Sequence, residues 1–172
     1  GPNILFITDK DLMSLKLTEP ALNELRKLSS IVEIFQDVEA DPSIKTLLNS
    51  IQVGKKINAT GVIGFGGGSS MDVAKLSSLI LGSNENIDDV WGVSNAKGPR
   101  LPLVLVPTTA GTGSEVTPIS IITVGEEEKK GVSSEIILPD IAILDPDLTI
   151  GLPAHTTAAT GIDAMVHAIE GY

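Results

Sequence analysis

The sequence lacks cysteine and has few aromatic residues. None of its 172 residues is cysteine, so it has neither a disulfide framework nor a thiolate metal site. This absence agrees with a cytoplasmic protein, and we expect that location. Aromatic residues make up only 3% of the chain, so the core must be aliphatic. Such a composition is typical of a parallel sheet covered by helices on both faces.

Positive charge and long apolar runs are also scarce. The net charge of −10 argues against nucleic acid or an anionic membrane as a partner. No apolar run approaches the roughly 18 residues of a membrane span. Local anion binding stays open, because backbone amides need no basic patch. The chain starts in a strand-like run and ends on a helical pattern without a stop signal, so we expect both ends to continue in a longer protein.

Short apolar strands alternate with amphipathic helices along the chain. The pattern predicts strands at 3–8, 31–35, 61–65, 101–106 and 141–144, and helices that start near 18 and 41–43 and span 69–81 and 154–172. Residues 119–124 and 130–133 read as antiparallel strands joined by an acidic turn at 125–128, and 84–99 as a surface loop. This alternation predicts an α/β fold, a Rossmann-like, mainly parallel sheet with flanking helices.

A glycine turn, Gly66-Gly67-Gly68, joins the third strand to the following helix. Glycines let a phosphate approach the backbone, and the first free amides of the helix point at the anion. Ser69 is expected to cap the helix, with Asp72 in the capping-box position. The alternative is an ordinary strand–helix turn, because the spacing of the usual dinucleotide fingerprint is missing.

A threonine turn, residues 107–115, follows the next parallel strand and is rich in hydroxyl groups. Hydroxyls and exposed amides at a strand's carboxyl end suit ribose and phosphate contacts. The alternative is a turn whose hydroxyls satisfy only its own backbone. We expect both turns to line the same edge of one sheet, and together they favour a nucleotide site.

The last helix carries a carboxylate and an imidazole four residues apart. Asp163 and His167 therefore share one helical face and could ligate one divalent ion such as Fe²⁺, Zn²⁺, Mn²⁺ or Ni²⁺. The alternative is a buried Asp–His hydrogen bond without metal. Glu170 could help on geometry alone, and His155 is interpreted as a surface or capping residue.

Four segments together resemble the iron-containing alcohol dehydrogenase family. The segments are Gly66-Gly67-Gly68-Ser69 with Asp72, Ala74 and Lys75; Pro107 to Glu115; Asp140 to Pro146; and Thr157 to His167. They cover nearly the whole chain in the family's order and spacing. The resemblance implies a dinucleotide-binding domain at 1–150, and at 151–172 the first helix of an all-helical metal- and substrate-binding domain.

The resemblance also implies roles for individual residues. Asp163 and His167 would be two of four metal ligands, the other two being histidines of the helical domain. Nucleotide contacts would come from Gly67, Gly68, Ser69, Asp72, Thr108, Thr109, Thr112, Thr117, Lys129 and Leu148. Asp9 stands at an acidic position that favours NAD over NADP. Asp41 replaces the asparagine of a Pro-Asn-Pro segment that contacts adenosine in relatives.

The activity implied for the parent enzyme is hydride transfer between NAD and a short-chain alcohol or aldehyde, with Fe²⁺ or Zn²⁺ polarising the oxygen. Relatives tend to dimerise, so a homodimer is expected. One competing hypothesis is a nucleotide-binding module without redox activity, which would not need the Asp163/His167 pair. Another is a glycerol dehydrogenase or dehydroquinate synthase relative, which shares the fold but uses different metal motifs.

Overall fold

The computed structural model describes residues 1–125 and 128–172. Its main sheet has five parallel strands in the order β2-β1-β3-β5-β8. These strands are β1 (Asn3–Ile7), β2 (Ile31–Phe35), β3 (Gly61–Gly66), β5 (Leu103–Pro107) and β8 (Ile141–Ala142). A smaller sheet contains β4 (Gly92–Val93), β7 (Glu128–Ser133) and β6 (Ile119–Val124), in that order. The parallel sheet and the antiparallel β6–β7 pair confirm the predicted α/β fold.

The helices are α1 (Lys10–Ser14), α2 (Glu19–Leu28), α3 (Ile44–Lys56), α4 (Gly68–Ser83), α5 (Ile87–Val90), α6 (Asp147–Ile150) and α7 (Ala154–Glu170), with short 3-10 segments at Ser114–Val116 and Glu135–Ile137. No helix in the described part of the chain is both long and apolar enough to cross a membrane.

Two apolar clusters hold the main sheet between its helices. The larger one joins β1, β3 and β5 to α3 and α4 through aliphatic side chains such as Leu47, Leu76 and Leu105. The smaller one lies on the opposite face and stacks Phe6 on Phe65, with ring centroids 5.6 Å apart. Two of the three phenylalanines thus contact each other. Aliphatic side chains form most of the core, as the composition predicts.

Helix α4 is the most deeply enclosed helix of the described chain. Ten of its residues are buried, because the helix lies between the main sheet and β6. Gly64 lets it approach β3 closely: a Cβ on Gly64 would lie 2.7 Å from the Cβ of Ala74 and 2.8 Å from Leu105 Cδ2. The start of α4 therefore lies close against the edge of the sheet.

The order of the strands creates a switch point between β1 and β3. From β1 the chain moves outward to β2, whereas the later strands β3, β5 and β8 build up on the other side. Helices that leave the sheet in opposite directions open a crevice at the carboxyl ends of these two strands, where ligands of doubly wound proteins bind. Asp9 follows β1 at this crevice, and the glycine turn ends β3.

Several expectations from the sequence are corrected. Residues 84–99 are not a plain surface loop: they contain α5 and β4 and bury Ile87, Val90 and Ala96. These elements are only four and two residues long, too short for a periodic signal in the sequence. The last strand ends at Ala142, two residues early. Of the predicted acidic turn at 125–128, Glu126 and Glu127 lie outside the described residues.

Candidate nucleotide and metal site

The glycine turn places the first amides of α4 at the switch point. Gly66 has a φ of +151°, and a Cβ there would lie 2.8 Å from Ser70 Oγ, so only glycine fits. The helix begins at Gly68 with Gly67 as its N-cap, which makes no side-chain cap hydrogen bond. Ser69 is therefore not the cap, which corrects the prediction. Without a competing side chain, the helix's leading amides are available to an anion.

The threonine turn lies beside the glycine turn, as predicted. Gly66 pairs with Pro107 in the sheet, and the Thr108 amide donates to the Gly66 carbonyl at 3.0 Å. Two further contacts join the turns: a Cβ on Gly67 would lie 3.6 Å from Thr109 Oγ1, and one on Gly68 would lie 3.1 Å from Thr112 Cγ2. The two turns thus form one continuous surface at the sheet edge.

Thr109 places its hydroxyl group beside the glycine turn. Its Oγ1 is buried and makes no hydrogen bond among the described residues. A buried hydroxyl left unsatisfied is costly, so such groups usually have a partner in the functional state. The position of Thr109 beside Gly67 makes a ligand oxygen at the glycine turn a natural partner.

Two clefts meet at the start of α4, and Gly68 and Ser69 line both of them. The first, about 900 Å³, is lined by Asp9, Asp37, Glu39, Gly67, Thr108, Thr109 and His155, among others. The second, about 840 Å³, is lined by Asp41, Asp72, Thr112, Thr117, Lys129, Asp163, His167 and Glu170, among others. All but one of the predicted site residues therefore lie along one continuous groove.

Leu148 is the exception. It lines neither cleft and packs instead against the cluster around Phe6 and Phe65. Its contact with adenine stays a prediction. Residues 36–40, which follow β2, were missed as candidates although they line the first cleft. They follow the carboxyl end of β2, which lies next to β1 in the sheet, and this position could have identified them from the sequence.

Asp9 has a structural contact as well as a place in the first cleft. It is the N-cap of α1, and its Oδ1 accepts a hydrogen bond from the Leu12 amide at 2.9 Å. The neighbouring acidic residue Asp37 is paired with Lys10 at 2.7 Å, and both of these side chains are exposed. This end of the groove is therefore dominated by carboxylates.

Asp41 and Lys129 form an ion pair at the second cleft. Lys129 Nζ lies 2.6 Å from Asp41 Oδ1 and connects β7 to the segment before α3. Both side chains are more than half exposed, so the pair contributes little stability and either group could turn toward a ligand. The two predicted nucleotide contacts are thus brought together.

Asp72 does not complete a capping box. Its Oδ1 accepts from Ser114 Oγ at 2.7 Å and its Oδ2 from the Ile121 amide at 2.9 Å. The side chain thus joins α4 to the threonine turn and to β6. Burial raises the pKa of Asp72, and hydrogen bonds with Ser114 and Ile121, together with the charge of Lys75, oppose that effect.

Lys75, one turn further along α4, is fully buried. Its Nζ donates to Ser114 Oγ at 2.8 Å and to the Ile119 carbonyl at 2.7 Å, and it lies 3.9 Å from Asp72 Oδ1. Burial lowers the pKa of Lys75 to about 8, although the charges of Asp72 and Glu115 act in the opposite direction.

Asp163 and His167 lie on the face of α7 that lines the second cleft. His167 Nε2 is 3.8 Å from Asp163 Oδ1, and the side chains are 54% and 44% exposed, respectively. The pair is therefore partly exposed and not directly hydrogen-bonded, unlike the buried Asp–His hydrogen bond considered from the sequence. Among the described residues, no cluster of three or more His, Cys, Asp or Glu side chains is arranged to hold a metal ion.

Helix α7 approaches the threonine turn closely at Gly111. A Cβ on Gly111 would lie 2.3 Å from the Thr160 carbonyl oxygen, so only a glycine allows this approach. The contact is one turn from Asp163 on the same helix. It places the Asp163/His167 pair beside the turns that line the nucleotide groove.

Comparison with known proteins shows the family of the chain. The sequence profile described as iron-containing alcohol dehydrogenase matches residues 1–146. The chain belongs to the iron-containing alcohol dehydrogenase family. Sulfoacetaldehyde reductase of Bilophila wadsworthia is 37% identical over 173 residues, which cover 100% of this chain and 45% of that relative.

Solved structures of the family superpose on nearly the whole chain. A 1,3-propanediol oxidoreductase matches with a TM-score of 0.92 and 35% identity, over 98% of this chain and 44% of the other. Sulfoacetaldehyde reductase from Bifidobacterium kashiwanohense, solved in complex with NAD⁺, matches with a TM-score of 0.86 and 33% identity, over 99% and 46%. The present chain thus spans slightly less than half the length of these relatives. The family resemblance and the Rossmann-like fold inferred from the sequence are confirmed.

Proposed function

We propose that this chain binds NAD along the carboxyl edge of its main sheet and contributes two metal ligands to an alcohol or aldehyde oxidoreductase. The observation that carries the proposal is the junction of the two turns at the start of α4. There the free amides of the helix, the Asp163/His167 pair and the Thr109 hydroxyl, which has no partner among the described residues, border one continuous groove.

The diphosphate of the nucleotide belongs at the glycine turn. Amides of Gly67, Gly68 and Ser69 would donate to its oxygens along the axis of the α4 dipole. Thr109 Oγ1 would gain the partner it lacks. The open backbone at Gly67 fits this placement, since a Cβ there would meet only Thr109 within 4 Å.

Hydroxyl and charged groups on either side would bind the two ends of the nucleotide. In the first cleft Asp9 would accept from ribose hydroxyls, and with Asp37 and Glu39 nearby it would repel an added 2′-phosphate. This acidic end favours NAD over NADP. In the second cleft, the side chains of Thr112, Thr117 and the Asp41–Lys129 pair would make further contacts with the nucleotide. The roles of Thr108 and Leu148 stay predictions.

The Asp163/His167 pair fits a divalent cation but does not complete its coordination. One carboxylate and one imidazole are a borderline donor set that Fe²⁺ or Zn²⁺ accepts, and their exposure of 44% and 54%, respectively, leaves both groups accessible. When bound, the metal supplies Lewis-acid polarisation of the alcohol or carbonyl oxygen, and NAD supplies the hydride acceptor. The task of this chain is to orient both ligand side chains beside the groove.

The broader assignments follow from the same proposal. The substrate would be a small alcohol or aldehyde, and the protein would be cytoplasmic and homodimeric, with no nucleic-acid or membrane partner. Residues 1–150 would form the nucleotide domain, and α7 would open the metal- and substrate-binding part. In agreement with that boundary, α7 has no buried side chain and leaves Ile162, Met165 and Ile169 exposed.

Two experiments test the proposal. Calorimetric titration of the chain with NAD and NADP should show binding, tighter for NAD; absence of NAD binding would refute the nucleotide site. In a protein of the relatives' full length, Asp163→Ala or His167→Ala should lower alcohol oxidation by at least about 100-fold, the contribution expected of a Lewis acid. Unchanged rates with both variants would reject the metal role of the pair, whereas NAD binding without any alcohol oxidation in the unmodified protein would favour the nucleotide-binding module without redox activity.

A further inference from the structure

Lys75 occupies an unusual position for a lysine. A fully buried ammonium is rare because its desolvation is costly, yet this one lies at the junction of three elements. It donates to Ser114 of the threonine turn and to the Ile119 carbonyl at the start of β6. Nothing in the proposed nucleotide contacts uses this side chain directly.

The network around Lys75 joins α4 to both neighbouring elements. Ser114 accepts from Lys75 and donates to Asp72. The Ser120 hydroxyl donates to the backbone carbonyl of Asp72 at 3.0 Å, and the Ile121 amide donates to its carboxylate. Together with the Lys75 bonds, these contacts fix the distance between the glycine turn, the threonine turn and β6.

The same network leaves the carboxylate of Asp72 near the glycine turn, where the diphosphate is proposed to bind. Asp72 lines the second cleft together with Gly68 and Ser69, where its charge would repel a diphosphate. The Lys75 ammonium, 3.9 Å away, offsets that charge from the buried side. The charged groups facing Lys75 are Asp72 on its own helix and Glu115 on the 3-10 segment; from β6 it faces only a carbonyl.

We propose that Lys75 is a positioning residue for nucleotide binding: it ties α4, the threonine turn and β6 into one unit and compensates Asp72 beside the bound diphosphate. The inference rests on the proposed NAD site. It predicts two effects of removing the ammonium, a local loosening of residues 114–121 and a weaker affinity for anionic nucleotides.

Lys75→Met tests the inference, with Lys56→Met as the matched control. Lys56 is exposed at the end of α3, so the control makes the same change in charge away from the network. Lys75→Met should weaken NAD binding about tenfold or more, the loss of one charge-assisted interaction. Uncharged adenosine should bind nearly as before. Equal NAD affinities in Lys75→Met and the wild type would overturn the proposal.

Hydrogen exchange gives a readout that does not depend on nucleotide. In Lys75→Met the amide of Ile121 should exchange faster, while amides of β1 keep their protection. Unchanged protection at Ile121 would contradict the positioning role. If the wild-type chain bound no NAD, the proposed function would fail, and the exchange measurement would still decide whether Lys75 holds the network.

A pH profile of the wild-type chain needs no substitution and therefore covers the case in which Lys75→Met fails to fold. The pKa of Lys75 is about 8, so its positive charge is lost as the pH rises through that value. NAD affinity should then fall between pH 7 and pH 9 (values of about one unit on either side of that pKa), and adenosine affinity should stay constant. A flat NAD profile would count against charge compensation.

Discussion

A single methyl group at Gly67 should separate nucleotide binding from folding. The backbone of Gly67 is extended, with φ −76° and ψ −173°, so alanine is compatible with it. The added Cβ would approach only Thr109, at 3.6 Å or more, which is ordinary van der Waals contact. Gly67→Ala should therefore change the free energy of unfolding by no more than about 1 kcal/mol.

The effect of Gly67→Ala on the affinity for NAD should be much larger. The methyl group would stand where the backbone approaches the diphosphate and would displace a phosphate oxygen from the first amides of α4. Losing one or two hydrogen bonds to a charged group costs about 1.5–3 kcal/mol each, which corresponds to a roughly tenfold or greater rise in the dissociation constant of NAD.

Calorimetry with NAD and urea unfolding on the same preparations measure both quantities. Gly131→Ala is the control, because Gly131 lies on β7 outside both clefts and a Cβ there would come no closer than 3.7 Å to another atom. Wild-type NAD affinity in Gly67→Ala would refute the placement of the diphosphate. A large loss of stability would refute the packing argument.

Three other predictions concern stability and specificity. Gly64→Ala should destabilise the fold by about 1–3 kcal/mol through overpacking, measured by urea unfolding beside Gly131→Ala. Arg100 lowers the pKa of Asp140 in the folded protein below its ordinary value of 3.8. Their ion pair therefore stabilises the fold fully above pH 3.8, and this stabilisation is lost as the pH falls through the lower pKa of the folded state. Arg100→Met should make the free energy of unfolding less dependent on pH in this acid range. Asp9→Asn keeps an N-cap for α1 but removes the charge, and should shift the ratio of NAD to NADP affinity toward NADP in direct titrations.

Each of these has a contrary outcome. A Gly64→Ala chain as stable as the wild type would mean that α4 can move away from β3. An identical acid dependence with and without Arg100 would assign that dependence to other carboxylates. An unchanged ratio of NAD affinity to NADP affinity in Asp9→Asn would show that Asp9 acts only as the N-cap of α1.

Features that depend on local periodicity were predictable from the sequence. The apolar runs marked the strands of the main sheet, and the alternation with helices fixed parallel pairing. Because parallel strands end at one edge, the sequence also predicted that the glycine and threonine turns would meet, which the pairing of Gly66 with Pro107 confirms. The four-residue spacing placed Asp163 and His167 on one face of α7.

Features that depend on distant partners were not predictable. Asp72 looked like a capping-box residue because only its neighbours in sequence were visible, whereas its partners Ser114 and Ile121 lie 42 and 49 residues away. The sequence suggested no role for Lys75 within its motif for the same reason, because its partners Ser114 and Ile119 are also distant in sequence. The segment 84–99 resembled a loop because its helix and strand are only four and two residues long.

The central claim is that amides at the start of α4 hold the diphosphate of NAD. The most direct test is an amide NMR titration of the chain with NAD. The largest shifts are expected at Gly67, Gly68 and Ser69, with a smaller change at Thr109 as its hydroxyl gains a partner. Saturable binding that leaves those resonances unmoved, or no binding at all, would contradict the claim.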